Sequence, residues 1–328
     1  MPPQRPYLYS APLPQICLPS DSLLTDPLEM LTPPDSSHYD ALLQAAFAED
    51  VGSGDCTTQA LVSKDERGVG TFQFRQNGIL AGGIMLEPVF RKMNDDIQVE
   101  LHTEDGEFIQ EGAIIALVTG PLQALLAAER IALNFVQRLS GIATLTNTYV
   151  NAVSDCPAEI LDTRKTLPGW RGLAKFAVRA GGGRNHRIGL YDQVMIKDNH
   201  LAVIQGLHHC TLPEAVALSV TQARERCPDL RIEVEVEDFE SFCAAVHAGA
   251  DIIMLDNLPT IQMARMVEHL DSERSPSVPD RPILEASGGI TLENVHEVAR
   301  TGVDWISVGA LTHSAPAADI ALEITQVG

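Results

Sequence analysis

The sequence is short of basic residues, has no long apolar run and has no closely paired cysteines. Each absence removes a class of function. With 23 lysines and arginines against 44 aspartates and glutamates, the formal charge is −21. Nucleic acid and anionic membranes both demand basic surface, so neither is expected as a partner. No stretch of about 18 apolar residues occurs, so no membrane-spanning helix is expected. The six cysteines, at 17, 56, 156, 210, 227 and 243, include no Cys-x-x-Cys pair. That scatter suits reduced thiols and a cytoplasmic protein. His208, His209 and Cys210 are consecutive, and adjacent side chains rarely face one ion, so a loop with no ligand role is the expectation. Residues 1–36 hold nine of the twenty prolines and little periodic pattern, which reads as a poorly ordered arm. The arm has one arginine and several acids, unlike a mitochondrial presequence.

What basic charge there is falls in one place. Between Asp162 and His200 stand Arg164, Lys165, Arg171, Lys175, Arg179, Arg184, Arg187 and Lys197, against Asp162, Asp192 and Asp198 alone. The stretch is therefore +5 inside an acidic chain. A chain of 328 residues has room for two domains.

A short helix is expected over His38 to Glu49. Strand-like alternation follows in Val69–Arg75, Ile97–His102 and Ala113–Val118, separated by glycine-rich turns. Leu122 to Leu139 then runs without Gly or Pro, with an apolar stripe on one face and Arg130, Asn134 and Arg138 along another. Beyond it, short apolar runs alternate with helical stretches. The runs are Glu159–Leu161, Gln193–Ile196, Ile232–Val236, Asp251–Leu255, Ile283–Ala286 and Trp305–Val308. That alternation implies parallel β pairing. Polar residues close nearly every run, which fits a barrel whose active site lies at the carboxyl ends of its strands. A dinucleotide-binding sheet would place a glycine-rich turn after its first strand, whereas Thr163-Arg-Lys-Thr stands here. With six legible strands, an incomplete α/β barrel is expected.

Arg164, Lys165, Arg187 and Lys197 all follow such strand ends or the Gly181-Gly-Gly break. Converging at a barrel mouth, they would bind anions: arginine bidentately, lysine as a point charge. Charge clusters more often form a solvated face, but placement at strand ends argues against that here. Ser287-Gly288-Gly289 and Gly309 close two consecutive final strands, where barrels often bind phosphate through backbone N–H groups. Glu233, Glu235 and Glu237 share one strand face, and with Asp256 they call for cations: Mg²⁺, lysine or arginine. For Glu233 a salt-bridge layer inside the barrel is an equal reading.

Several segments resemble the quinolinate phosphoribosyltransferases. They are Glu129–Thr144, Thr163-Arg-Lys-Thr-Leu-Pro-Gly169, Gly181-Gly-Gly-Arg-Asn-His-Arg187, Met195-Ile-Lys-Asp-Asn-His200, Glu233-Val-Glu235, Leu255-Asp-Asn257 and Glu285-Ala-Ser-Gly-Gly-Ile-Thr291, with Glu49–Asp55 nearer the N-terminus. The resemblance runs in order from about residue 40 to the C-terminus. It implies a type II phosphoribosyltransferase-like α/β fold, in which an N-terminal α+β open-faced sandwich accompanies the incomplete parallel barrel. The expected division is an arm at 1–36, the sandwich at 37–131, the barrel at 132–313 and a C-terminal segment at 314–328 packing back on the sandwich.

The implied reaction takes quinolinate and phosphoribosyl pyrophosphate, with Mg²⁺, to nicotinate mononucleotide, pyrophosphate and CO₂ in de novo NAD synthesis. The family pattern also implies a homodimer as the minimum unit, with higher homo-oligomers allowed, in which Arg130 reaches the neighbour's site. Arg164, His186, Arg187 and Lys197 would hold the quinolinate carboxylates. Lys165, Glu235 and Asp256 would face the phosphoribosyl group and its Mg²⁺, and Ser287, Gly288, Gly289 and Gly309 would line the phosphate sites. Lys165, Lys197, Glu235 and Asp256 are the expected catalytic residues.

Three departures stand out. Ala174 and Phe176 replace the Glu and Tyr of many relatives beside Lys175. The segments between Lys197 and Glu235 and between Asp256 and Ser287 look longer than usual. The proline-rich arm is extra. Rival readings are a Schiff-base aldolase using Lys197, a phosphoribosyltransferase for another pyridine carboxylate, and a non-catalytic anion-binding barrel.

Overall fold

The computed structural model describes residues 31–272 and 281–327. Most of the proline-rich arm, and the Glu273–Ser277 part of the second long segment, lie outside them. Among the described residues the first α-helices are α1 (Asp40–Asp50) and α2 (Cys56–Leu61), the latter capped by Asp55 accepting from Thr57 N and Thr58 N. Then come β1 (Arg67–Phe74), β2 (Gly78–Ile79), α3 (Leu86–Met93), β3 (Gln98–Leu101), β4 (Phe108–Ile109) and β5 (Ile114–Pro121). β1 alternates buried and part-exposed residues along its length, as a strand with one face on a core must.

The longest element among the described residues follows, α4 (Leu122–Ala152). Its apolar stripe is buried, but it runs past Leu139, where the sequence had suggested an end, through Gly141 to Ala152. Gly141 is tolerated because of what crosses it. A Cβ there would overlap the Pro316 carbonyl, so only glycine lets the two backbones meet. The same stretch of α4 grips that crossing chain. Gln137 Nε2 donates to Ile320 O (2.6 Å), Arg138 Nη2 donates to Thr312 O (2.7 Å), and Ala318 N donates to Gln137 O (2.9 Å). Arg138 thus serves the fold. A boundary at 131/132 falls inside this continuous helix.

The second unit comprises β6 (Glu159–Leu161), α5 (Arg171–Ala180), β7 (Val194–Ile196), α6 (Asp198–His208), α7 (Leu212–Arg226), β8 (Ile232–Val236), α8 (Phe239–Ala248), β9 (Ile252–Asp256), α9 (Thr260–Ser272), β10 (Ile283–Ser287), α10 (Val295–Ala299), β11 (Trp305–Ser307) and α11 (Ala310–His313). Its strands form a parallel sheet in the order β6-β11-β10-β9-β8-β7. Beyond β6, among the described residues, only Arg184 adds a parallel bridge, to Leu161. No strand among the described residues joins β6 to β7, so the barrel is incomplete. The first long segment is occupied by α6 and α7, joined at a capping box on Thr211.

The last strand, β12 (Ile320–Val327), returns to pair antiparallel with β1, giving a four-stranded sheet β12-β1-β5-β3, with β2 and β4 pairing apart. No helix among the described residues is long and apolar enough to cross a membrane.

Candidate active site

All six parallel strands point their carboxyl ends toward one cavity of about 630 Å³. On strands buried on both faces, the helix-facing positions are apolar while inward positions near the end carry the polar groups. β8 shows the rule: Val234 and Val236 are buried, Glu233 sits buried within the barrel, and Glu235 reaches the cavity wall.

One side of the cavity is cationic. Arg164 and Lys165 follow β6, Arg187 follows the Gly181–Gly183 turn, and Lys197 follows β7. Arg187 donates to Gln193 O (3.1 Å), yet its Nε and that of Arg164 are buried with no hydrogen-bond partner. Burial, and next the neighbouring Arg164, lower the Arg187 pKa. Two guanidiniums held close in a partly dry wall, each with an unused buried donor, make a site that an anion would complete.

Beneath them lies a support made by Asp162 and Lys175, two residues that stand in the sequence only as members of the charged stretch. Asp162 is fully buried and paired with Lys175, which is itself 3% exposed. Asp162 accepts from His186 N (2.9 Å), and Lys175 Nζ donates to His186 O (2.7 Å). The pair therefore grips both backbone groups of the residue preceding Arg187. Turned with its nitrogen inward, the Asn185 amide adds donations to Asp162 Oδ2 (2.7 Å) and Lys175 O (2.9 Å). Burial pushes the Asp162 carboxyl up to about 6, with Lys175 pulling the other way, and burial lowers Lys175. Ala174 and Phe176, the departures noted beside Lys175, are both buried.

The opposite wall is acidic. Glu235, Glu237 and Asp256 line it, with Asn257 donating to Asp256 Oδ2 (2.9 Å). Lys197 pairs with Glu235 and so links the two walls. Ser287, Gly288 and Gly289 form the adjoining loop, both glycines at positive φ (88° and 62°). Asn294 fastens that loop by donating to Gly289 O (2.9 Å). Gly309 is not in the cavity wall; it lies against the Lys165 side chain, leaving room for that lysine.

His186 lies at the floor. Its Nε2 is 3.2 Å from Glu233 Oε2 and 3.3 Å from Glu285 Oε2, and both acids are fully buried. Burial opposes charging the imidazole, but Glu233 and Glu285 outweigh it and push His186 up to about 10. Burial, then Glu285, raise Glu233 to about 7. His186 is thus in the cavity wall but engaged by acids. Glu233 stands in a buried ionic layer, where it also accepts from Gln193.

Arg130, like Gly309 among the expected binding residues, does not line the cavity, and it is exposed on α4. Glu285 and Ser307 line it and were not anticipated. For the first, the signals were an acid inside the apolar run Ile283-Leu-Glu-Ala286 and its place at the head of the family-like Glu285–Thr291 segment. Among the described residues, His208, His209 and Cys210 form no ligand cluster, and His209 closes α6 at φ 53°.

Comparison with known proteins agrees along nearly the whole chain. Residues 55–140 match the family model for the quinolinate phosphoribosyl transferase N-terminal domain, and residues 142–323 match that for its C-terminal domain. Carboxylating nicotinate-nucleotide pyrophosphorylase of Mycobacterium leprae is 41% identical over 287 residues, covering 86% of this chain and 95% of that protein. Decarboxylating quinolinate phosphoribosyltransferase 1b of Nicotiana tabacum is 37% identical over 305 residues, covering 90% and 85%. The solved nicotinate-nucleotide pyrophosphorylase from Francisella tularensis superposes with a TM-score of 0.81 at 34% identity, covering 90% of this chain and 99% of that one.

Proposed function

This chain belongs to the quinolinate phosphoribosyltransferase family, and we propose that its barrel cavity is where quinolinate meets phosphoribosyl pyrophosphate. The reaction is phosphoribosyl transfer with decarboxylation, giving nicotinate mononucleotide, pyrophosphate and CO₂ in NAD biosynthesis. The observation that carries the assignment to this cavity is the pair of buried, partnerless guanidinium Nε groups of Arg164 and Arg187 facing an acidic, glycine-rich wall. Two carboxylates on one ring answer to such a doubled cation, while a polyphosphorylated sugar answers to lysine, backbone N–H groups and acids.

In this reading Arg164, Arg187, His186 and Lys197 hold quinolinate, and Lys165, Glu235, Asp256 and the Ser287–Gly289 loop hold the phosphoribosyl donor. Pyrophosphate leaves the sugar with oxocarbenium character while the pyridine nitrogen attacks. The protein's part is to hold two polyanions together and stabilise the charge that develops, so positioning and electrostatics supply most of the catalysis. The quaternised nitrogen then accepts the electron density released as the adjacent carboxylate departs.

Magnesium fits the acidic wall. Glu235 and Asp256 are oxygen donors at neighbouring strand ends, and Mg²⁺ is commonly held by one or two carboxylates plus substrate phosphates. Bound there, it would supply charge neutralisation for the pyrophosphate.

The assembly proposed is a homodimer at least, with higher homo-oligomers allowed, each Arg130 completing its neighbour's site. Supporting it, Arg130 is exposed and unused at its own cavity, and the segments flanking the cationic wall expose Leu167, Ile188, Leu190 and Tyr191. A cytoplasmic setting accords with the five described cysteines, all free. The test of substrate choice is turnover with quinolinate against nicotinate as acceptor. Product from quinolinate alone supports the reading, and equal use of nicotinate contradicts it.

A further inference from the structure

At the end of the barrel opposite the catalytic cavity, three side chains from two distant parts of the chain meet. Asp155 and Cys156 lie in the loop between α4 and β6, and His296 lies on α10, which precedes β11. The cluster therefore sits at the amino ends of β6 and β11, two strands that pair in parallel. One ligand atom from each of the three residues lies within 4.8 Å of the other two. We propose that Asp155, Cys156 and His296 bind a zinc ion that ties the end of α4 to α10.

The spacing is that of a coordination shell. Zinc bonds of about 2.0–2.1 Å to nitrogen and oxygen and about 2.3 Å to sulfur, set at tetrahedral angles, put N and O about 3.3 Å apart and S and O about 3.5 Å apart. Here His296 Nε2 is 3.1 Å from each Asp155 carboxylate oxygen, and Cys156 Sγ is 3.7 Å from Asp155 Oδ1. Sequence neighbours seldom face one ion, but a hydrogen-bonded turn brings these two together. Ser154 N donates to Asn151 O (3.3 Å) and Cys156 N donates to Val153 O (2.9 Å), with Pro157 next in the chain. The turn folds the chain back at the end of α4 and sets the thiol alongside the carboxylate.

The donor set selects the metal. Mg²⁺ and Ca²⁺ take oxygen ligands, whereas thiolate with imidazole suits Zn²⁺. The hydrogen bond with His296 is the main cause holding the Asp155 carboxyl below its usual range, so it offers an anion. Partial desolvation, then Asp155, push the Cys156 thiol up, with Arg300 pulling the other way. Ligation exchanges that thiol proton for the ion: the proton passes to water, and the sulfur electron pair bonds to zinc. Asp155 is exposed and the other two are half-buried, so an ion reaches them from solvent, and water takes the fourth position.

The place of the cluster assigns its role. Chemistry in such a barrel is done at the carboxyl ends of the strands, and the amino end serves stability. A zinc ion here staples the barrel and leaves turnover alone, so the proposal does not rest on the family reaction.

The test adds Co²⁺, as a spectroscopic stand-in, and then Zn²⁺ to the purified full-length protein with its thiols reduced. Thiolate ligation gives Co²⁺ a strong near-ultraviolet charge-transfer band, which the carboxylates of the catalytic cavity cannot produce. The wild type should develop that band with one equivalent of Co²⁺ and lose it to one equivalent of Zn²⁺. Its melting temperature should rise by about 5 °C at Zn²⁺ a hundredfold above Kd. Cys156→Ser should abolish the band, and His296→Gln should weaken Zn²⁺ binding by at least about 10²-fold, beyond what loss of a merely supporting residue costs. Both variants should keep wild-type turnover. The rival thiol is Cys243, whose Sγ is 3.7 Å from His269 Nε2. A band that survives in Cys156→Ser, or no band in the wild type, would overturn the assignment and leave Asp155 and His296 as a plain hydrogen-bonded pair. Should Cys156→Ser fail to fold, loss or survival of the band in His296→Gln decides in its place.

Discussion

Asn257 sits in the left-handed region at φ 53° directly against Gly288, so closely that a Cβ on residue 288 would overlap the Asn257 amide. The strained asparagine closes β9, donates to Asp256, and receives no room from any residue larger than glycine on the neighbouring loop. Strain of this kind persists where surrounding structure fixes a functional geometry. Gly288→Ala should therefore cost about 1–3 kcal/mol in stability and raise KM for phosphoribosyl pyrophosphate with little change for quinolinate. Adding Asn257→Gly should relieve the overlap and recover part of the stability. Denaturant melts and two-substrate kinetics check this, and an equal rise in both KM values would count against it.

Arg187→Ala should lose quinolinate affinity by roughly 2–5 kcal/mol, the range for truncating one partner of a buried charge pair. Asp256→Asn should act mainly on the phosphoribosyl half-site. Calorimetric titration of each ligand separates the two effects. A quinolinate-only defect in Asp256→Asn would contradict the division of the cavity into two walls.

Lys175→Met leaves Asp162 buried without its partner and His186 O without a donor. Breaking a buried ion pair from one side costs about 3–5 kcal/mol, so a clear fall in melting temperature is expected. A change within error would mean that the pair does not anchor the His186–Arg187 segment.

Stability should fall as pH rises from neutrality toward 10. Glu233 and Glu285 outweigh burial and hold the folded-state His186 near 10, well above its ordinary 6.5, so the native state binds more protons than the unfolded chain. Its contribution is complete below about 6.5 and is lost as pH climbs through 10. Glu233, raised to about 7, adds loss in the same direction at lower pH, and Arg187 faces the same cluster. Melts of the wild type and of His186→Gln across pH 6–10 should show a steeper decline in the wild type; parallel curves would rule this out.

Mixing Arg130→Ala subunits with Lys197→Ala subunits should restore some activity if Arg130 completes a neighbour's site. Verified mixed dimers without rescue would remove the shared-site proposal.

The sequence revealed the parallel strands to within about a residue because polar residues or glycines close them: Asp256 after Met254-Leu255, Ser287 after Ala286. It misplaced the end of α4 because Gly141 ordinarily weakens a helix, and only the tertiary crossing at Pro316 shows why it is needed. The two-residue β2 and β4 are too short to carry any periodicity. Asp162 and Lys175 were visible only as charge, since nothing in a linear pattern distinguishes a buried ion pair from a solvated one. Glu285 was hidden similarly, its alternation within Ile283–Ser287 assigning a face but no neighbours.

The most direct measurement of the central claim is stoichiometric: purified protein, quinolinate, phosphoribosyl pyrophosphate and Mg²⁺, with nicotinate mononucleotide, pyrophosphate and CO₂ followed together. The account predicts Mg²⁺-dependent appearance of all three in equal amounts. Ligands that demonstrably bind yet yield no product would contradict it and leave an anion-binding barrel without catalysis.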